Sequence, residues 1–307
     1  MSSAPSLSAS VRGRCNVWLL VLSVVLALFG ALANAAASVL QRRAAATERV
    51  APSGRRFSWL THLLHRPVWM WGSAMLIFSG IFQAGALATG PLAVVQPVMA
   101  TELLFTLVVG SVFFHRRPDA RAWRAFLTMV TGLAVFLVLI DPSVGTTRVP
   151  VGRWLAAGAV LLTIVILLIV LATRLPSSPR ATVLGAATSF GFSATAALMK
   201  DAVARLSDGL VALFTAWQTY AVGVVGLGSF LLLQMALRAG TLVASQPALT
   251  LGDSLMSLVL GAVLFDEQLR LGILVVPELG ALALVGAGSL QLARTPEVSG
   301  DEQGEVW

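Results

Sequence analysis

One cysteine, three histidines and one tyrosine are present in 307 residues. The lone Cys15 excludes an intrachain disulfide. His62, His65 and His115 all fall in loops, with no nucleophile at a recognisable spacing. The sequence also has no phosphate-binding glycine loop, zinc-ligand cluster or nucleotide motif. An enzyme acting on lipid phosphates through His and Arg is therefore the main contrary class, and the residues that would drive it are missing. Charge is scarce as well: 11% of residues are charged and 57% hydrophobic, with a mean hydropathy of +0.86. A soluble domain carries about 25% charged residues. The composition excludes that class and reads as an all-α integral membrane protein.

Apolar runs of about 20 residues, enough to cross roughly 30 Å of hydrocarbon, number nine: 16–40, 68–88, 91–114, 122–140, 154–173, 181–199, 209–237, 240–265 and 271–292. They must be helices, because an open β structure would leave backbone groups unpaired in lipid. The chain divides into an N-terminal tail (1–15), a five-helix first half (16–174), a four-helix second half (175–292) and an acidic C-terminal tail (293–307).

Placing the N-terminus outside and the C-terminus in the cytoplasm of a plasma-membrane protein puts 14 of the 21 basic residues on the cytoplasmic side, as the positive-inside rule requires. The net charge of +7 is then topology. It does not mark a nucleic-acid partner, since the bases are split among short loops. Arg12, Arg14, an apolar run and Ala33-Asn34-Ala35 imitate a secretory signal. The length of the run and the six Arg that follow it favour a retained span. The loop 41–66, with Phe57, Leu60, Leu63 and Leu64 beside several bases, reads as a positive-inside loop or an interfacial face touching anionic lipid.

Two stretches repeat one pattern: Gly90-Pro-Leu-Ala-Val-Val-Gln96-Pro97 and Gly240-Thr-Leu-Val-Ala-Ser-Gln246-Pro247. Each runs into an apolar segment with one acid, Glu102 or Asp253, and closes on Gly110-Ser111 or Gly261-Ala262 before Phe114 or Phe265. A weaker match lays Ser38-Val39-Leu40-Gln41-Arg42 on Ala196-Ala197-Leu198-Met199-Lys200. Together they map segments 1 to 4 onto 6 to 9, with segment 5 as connector. Five crossings separate equivalent helices, so the expected architecture is an inverted repeat, the plan of many transporters.

The small first helix ending in Gln41-Arg42-Arg43, the Gly90-Pro91-Leu92 turn before Gln96-Pro97, and Phe265-Asp266-Glu267 after segment 8 together resemble the drug/metabolite transporter (EamA-like) superfamily. Nine segments and an outside N-terminus look most like its NIPA-type magnesium transporter branch. The resemblance implies alternating-access transport of a small solute, either a divalent cation such as Mg²⁺ or a small metabolite. Where the family often has an acid after segment 3, this chain has Arg116; after segment 8 it keeps Glu267.

The intramembrane acids are argued from physics. Only Glu102, Asp253 and Glu278 lie within the predicted spans, and a carboxylate at the bilayer centre costs about 2.5–3.5 kcal/mol on insertion scales. Glu102 and Asp253 either bind a cation, a proton or a polar solute, or are held by a neighbouring polar side chain as glue between helices. Their spacing differs: Asp253 follows Gln246 by seven residues, Glu102 follows Gln96 by six. The two face alike only if one helix carries a local irregularity. Pro97 and Pro247 each withhold an N–H from the carbonyl four residues back and kink their helices, which lines a cavity or merely bends the helix for packing.

The expected substrate-binding set is Asn34, Gln96, Pro97, Glu102, Gln246, Pro247 and Asp253, with Glu102 and Asp253 as metal ligands if the substrate is a cation. Gln83, Gln218, Tyr220 and Gln234 are candidates to complete a polar lining, and Gly223, Gly226, Gly228, Gly286 and Gly288 are expected to permit close helix packing. No cofactor is expected. The expected partners are the lipid bilayer and a small-molecule or cation substrate, with a homodimer compatible and no nucleic acid. A non-transporting membrane scaffold is the alternative function.

Overall fold

Away from water a backbone must satisfy its own polar groups, and every long hydrophobic run here does so as a helix. The computed structural model describes residues 6–48, 67–114, 120–139, 145–239, 242–267 and 275–293, and among them it contains helices and no strand. In chain order α1 is Ser6–Glu48, α2 Pro67–Thr89, α3 Leu92–Met99, α4 Glu102–Phe114, α5 Ala120–Leu139 and α6 Val151–Ala172. They are followed by α7 Ser177–Ala204, α8 Leu210–Thr215, α9 Trp217–Ala239, α10 Leu242–Phe265 and α11 Val275–Ala293. Eight stretches are long and apolar enough to cross a bilayer, α3 and α4 counting as one. The ninth predicted segment begins outside the described residues, and α11 is its described part.

Helix α6 buries only Trp154 and Ala172, while Leu155, Val160, Leu162, Ile166 and Leu167 are exposed. Helix α9 likewise exposes Val224, Leu227 and Leu231. Apolar surface this continuous belongs against lipid, not water. The chain is built as a membrane-embedded helical bundle.

Four predicted features move. Pro91 is extended, with φ −67° and ψ 144°, so it is the N-cap itself and α3 starts one residue later than its ring alone would allow. Segment 3 is broken between Met99 and Glu102. Segment 7 is interrupted at Ala216, whose extended backbone (φ −71°, ψ 130°) ends α8 and leaves α9 to start at Trp217. Helix α1 also extends back into the predicted tail, to Ser6.

The packing partners form a regular scheme. Helix α1 packs along α2 and against α3 and α4; α7 packs along α9 and against α10. Helices α5 and α11 pack on each other, as do α3 and α10, and α6 lies on α7. The α5–α11 contact depends on two glycines facing each other's helix. A Cβ on Gly132 would lie 2.8 Å from the Ala281 carbonyl oxygen, and one on Gly288 would lie 2.7 Å from the Met129 nitrogen.

Backbone cannot yield as a side-chain tip can, so Gly288→Leu should cost about 1–3 kcal/mol or more, read as a lowered unfolding midpoint in detergent. Gly223 meets nothing within 4 Å, so Gly223→Ala should leave the midpoint in place. The expected close packing therefore holds at Gly286 and Gly288, where Leu251 and Met129 crowd in, and fails at Gly223 and Gly228, which face open space.

Candidate functional site

Segment 3 carries a local irregularity. Pro97 sits inside α3 and the helix stops at Met99. The Thr101 N–H donates to the Val98 carbonyl at 3.0 Å, a tighter reach than an α-helical bond, and the Thr101 hydroxyl donates to the same oxygen at 2.7 Å. The chain resumes as α4 with Glu102 in its first turn, where the helix dipole favours an acid. Its counterpart α10 runs unbroken past Pro247.

Each acid is then held by the first helix of its own half. The Asn34 amide on α1 donates to Glu102 Oε2. The Ser193 hydroxyl on α7 donates to Asp253 Oδ1 at 2.6 Å. Both acids are half-buried. Among the described residues no salt bridge reaches either. One turn and a half before Glu102, Gln96 is buried and its amide nitrogen has no hydrogen-bond partner among the described residues. Gln246 and Pro247 lie on the first turns of α10, and their side chains fall outside the described ones. The described residues contain no group of three or more His, Cys, Asp or Glu that could hold a metal ion. Glu278 stands apart in the first turn of α11.

A second polar cluster was not anticipated as a unit. Lys200 near the end of α7 pairs with Glu267, just past α10, and both side chains are almost fully buried. The two Glu267 oxygens also accept the first N–H groups of α3: Leu92 donates to Oε1 at 2.8 Å and Ala93 to Oε2 at 3.2 Å. This is a carboxylate set on a helix N-terminus. Asp266, with φ 53°, turns the chain out of α10, and the Glu267 N–H returns to the Gly261 carbonyl at 3.0 Å. A side chain at Gly261 would occupy the space of the Glu267 carboxylate. The Lys200 ammonium lies 4.7 Å from the centre of the Phe265 ring, within range of a cation–π contact. One signal for this cluster was in the sequence: Lys200 is the only lysine among 21 basic residues, and a flexible ammonium suits a buried pair differently from a guanidinium.

The same end of the bundle is braced further. Asp201 accepts from Trp154 Nε1 at 2.7 Å and from the Gln218 amide at 3.0 Å. Thr146 N–H donates to the Phe265 carbonyl at 2.6 Å, and Arg153 pairs with Asp266 at 2.7 Å. Gln218 thus serves this brace as a packing contact between helices, the more common role of a single amide in a bundle. Tyr220 is exposed, its hydroxyl donating to the Phe214 carbonyl at 2.8 Å, so it is outside any lining. A cavity of about 580 Å³ between α6, α7 and α9 is walled almost wholly by apolar side chains and includes none of the predicted site residues. His62, His65, His115 and Arg116 lie outside the described residues.

No family model matches the chain, and no solved structure matches it. An uncharacterized protein of Corynebacterium glutamicum is 29% identical over 254 residues, covering 81% of this chain and 86% of that protein.

Proposed function

We propose that the chain is a membrane transporter of a small solute, working by alternating access between two inverted halves. The observation that carries this reading is the pair of acids on the two Gln-Pro segments: Glu102 opens α4 and Asp253 lies within α10. Each is held by a neutral donor from the first helix of its half. The helix pairing supports it. Exchanging segments 1 to 4 with 6 to 9 turns the α1–α2 contact into α7–α9 and the α1 contact with α3–α4 into α7–α10. The same exchange carries the α5–α11 and α3–α10 contacts onto themselves. Inverted repeats with a broken helix at the site are a recurrent transporter plan.

Two carboxylates that meet no basic side chain among the described residues favour a cation or a proton as the species bound. Mg²⁺ fits such a set because it takes oxygen ligands, accepts one or two carboxylates and keeps several waters. A proton carried by the same acids would drive a small organic solute, to which the unpaired Gln96 amide offers a donor. The reading places the protein in the plasma membrane, with the N-terminus and the Lys200 end outside and the C-terminus in the cytoplasm. The test is uptake into sealed vesicles holding the purified protein, with Mg²⁺ or other divalent cations, with and without a pH gradient. Uptake above that of empty vesicles is expected for a divalent cation, or a proton flux that depends on an added solute. Neither would sink the transporter reading.

A further inference from the structure

The midplane acids and the Lys200 cluster are linked through one face of α7. Ser193, which holds Asp253, and Lys200, which pairs with Glu267, stand seven residues apart. They therefore share a helical face and lie about 10 Å apart along the axis. From the end of the bundle, a cavity of about 310 Å³ has Lys200 in its wall, together with Leu87 and Ala88 of α2, Thr147, and Ser207 beyond α7. The acids thus lie on the inner side of the Lys200–Glu267 pair and the cavity on its outer side.

We propose that Lys200, Glu267 and the N-terminus of α3 form a gate that shuts this end of the bundle. The inference rests on the transporter reading above. Its parts come from different halves: Leu92 and Ala93 belong to the first, Lys200 and Glu267 to the second. A rocking of the halves would break the two bonds from α3 and leave the ion pair whole. Opening therefore strands no buried charge, and the carboxylate, released from the helix terminus, keeps its lysine. The bonds that hold the gate shut are the ones that rocking must break. By the alignment of the repeats, the first-half positions matched to Lys200 and Glu267 carry Arg42 and Arg116. The aligned first-half positions therefore carry no acid to match Glu267.

A single native cysteine makes accessibility measurable. In a Cys15→Ser background, Ala197→Cys places a thiol on α7 between Ser193 and Lys200, at a buried position. In sealed vesicles, a membrane-impermeant maleimide added on the Lys200 side should label it slowly. With Glu267→Gln, and with the neutral pair Lys200→Met/Glu267→Gln, labelling should quicken by about tenfold, the size of a shift in a minor open population. Unchanged labelling in both variants, or an equal rise when probed from the opposite side, overturns the gate. Labelling needs no substrate. Faster labelling without uptake in the intact protein would therefore sustain the gate and sink the transport reading, whereas uptake with unchanged labelling would sink the gate alone.

Discussion

Neutralising either Glu102 or Asp253 is expected to weaken uptake sharply while leaving the protein folded. Glu102→Gln keeps an oxygen to accept the Asn34 amide, and Asp253→Asn keeps one for the Ser193 hydroxyl. What disappears is the charge. A hydrogen bond to a charged group contributes about 1.5–3 kcal/mol against about 0.5–1.5 for a neutral one, so the structural loss is near 1 kcal/mol and the unfolding midpoint in detergent should move little. For a bound cation, losing one of two carboxylate ligands forfeits a charge-assisted contact of that order, or roughly 10- to 100-fold in apparent affinity.

The two substrate classes then separate. If the acids bind the transported cation, both substitutions weaken uptake with or without a pH gradient. If they carry the driving proton, Asp253→Asn removes the response to the gradient and leaves solute binding. Should both variants transport as the parent does, the carboxylates are packing glue, and the site must be sought around Gln96.

The helices and the Gln96-Pro97 step were legible because their causes are local, whereas α10 runs through Pro247 without a break. Hydropathy marks a span wherever about 20 residues are apolar, and a proline cannot complete the helix around it. The break before Glu102 was one of two readings that arithmetic left open, since six residues after Gln96 and seven after Gln246 do not point the same way in unbroken helices; the other was that the acids face differently. Three things were not legible. The shift of the helix start to Leu92 depends on the extended ψ of Pro91, which its ring does not fix. The interruption at Ala216 has no glycine or proline at the break, only an extended backbone in an apolar run. The pairing of Lys200 with Glu267 joins residues 67 apart in different segments. Periodicity reports which face a residue lies on and is silent about what meets that face. Only the solitary lysine set the position apart, and its meaning came from the α3 terminus placed beside it.

Removing the carboxylate of the Lys200–Glu267 pair should unfold the protein more readily than removing the ammonium. Both groups are nearly excluded from their surroundings, at 4% and 3% exposure, where breaking a buried pair costs about 3–5 kcal/mol because the survivor keeps its desolvation penalty unrelieved. The survivors differ, however. With Lys200→Met, the Glu267 carboxylate still accepts the N–H groups of Leu92 and Ala93 at a helix terminus whose dipole contributes up to about 2 kcal/mol in partly buried geometries. With Glu267→Leu, the ammonium retains the Phe265 ring and α3 loses its cap, so the loss falls at the upper end of that range. Lys200→Met/Glu267→Gln removes both charges together, and replacing a buried pair by neutral groups is often without net cost, so its midpoint should return close to the parent's. Chemical unfolding in detergent would rank the four proteins: parent and double variant together, Lys200→Met below them, Glu267→Leu lowest. Equal losses in the two single variants would mean that the α3 terminus contributes nothing to holding the carboxylate. A double variant no better than Glu267→Leu would mean that shape, and not charge, is what the pair supplies.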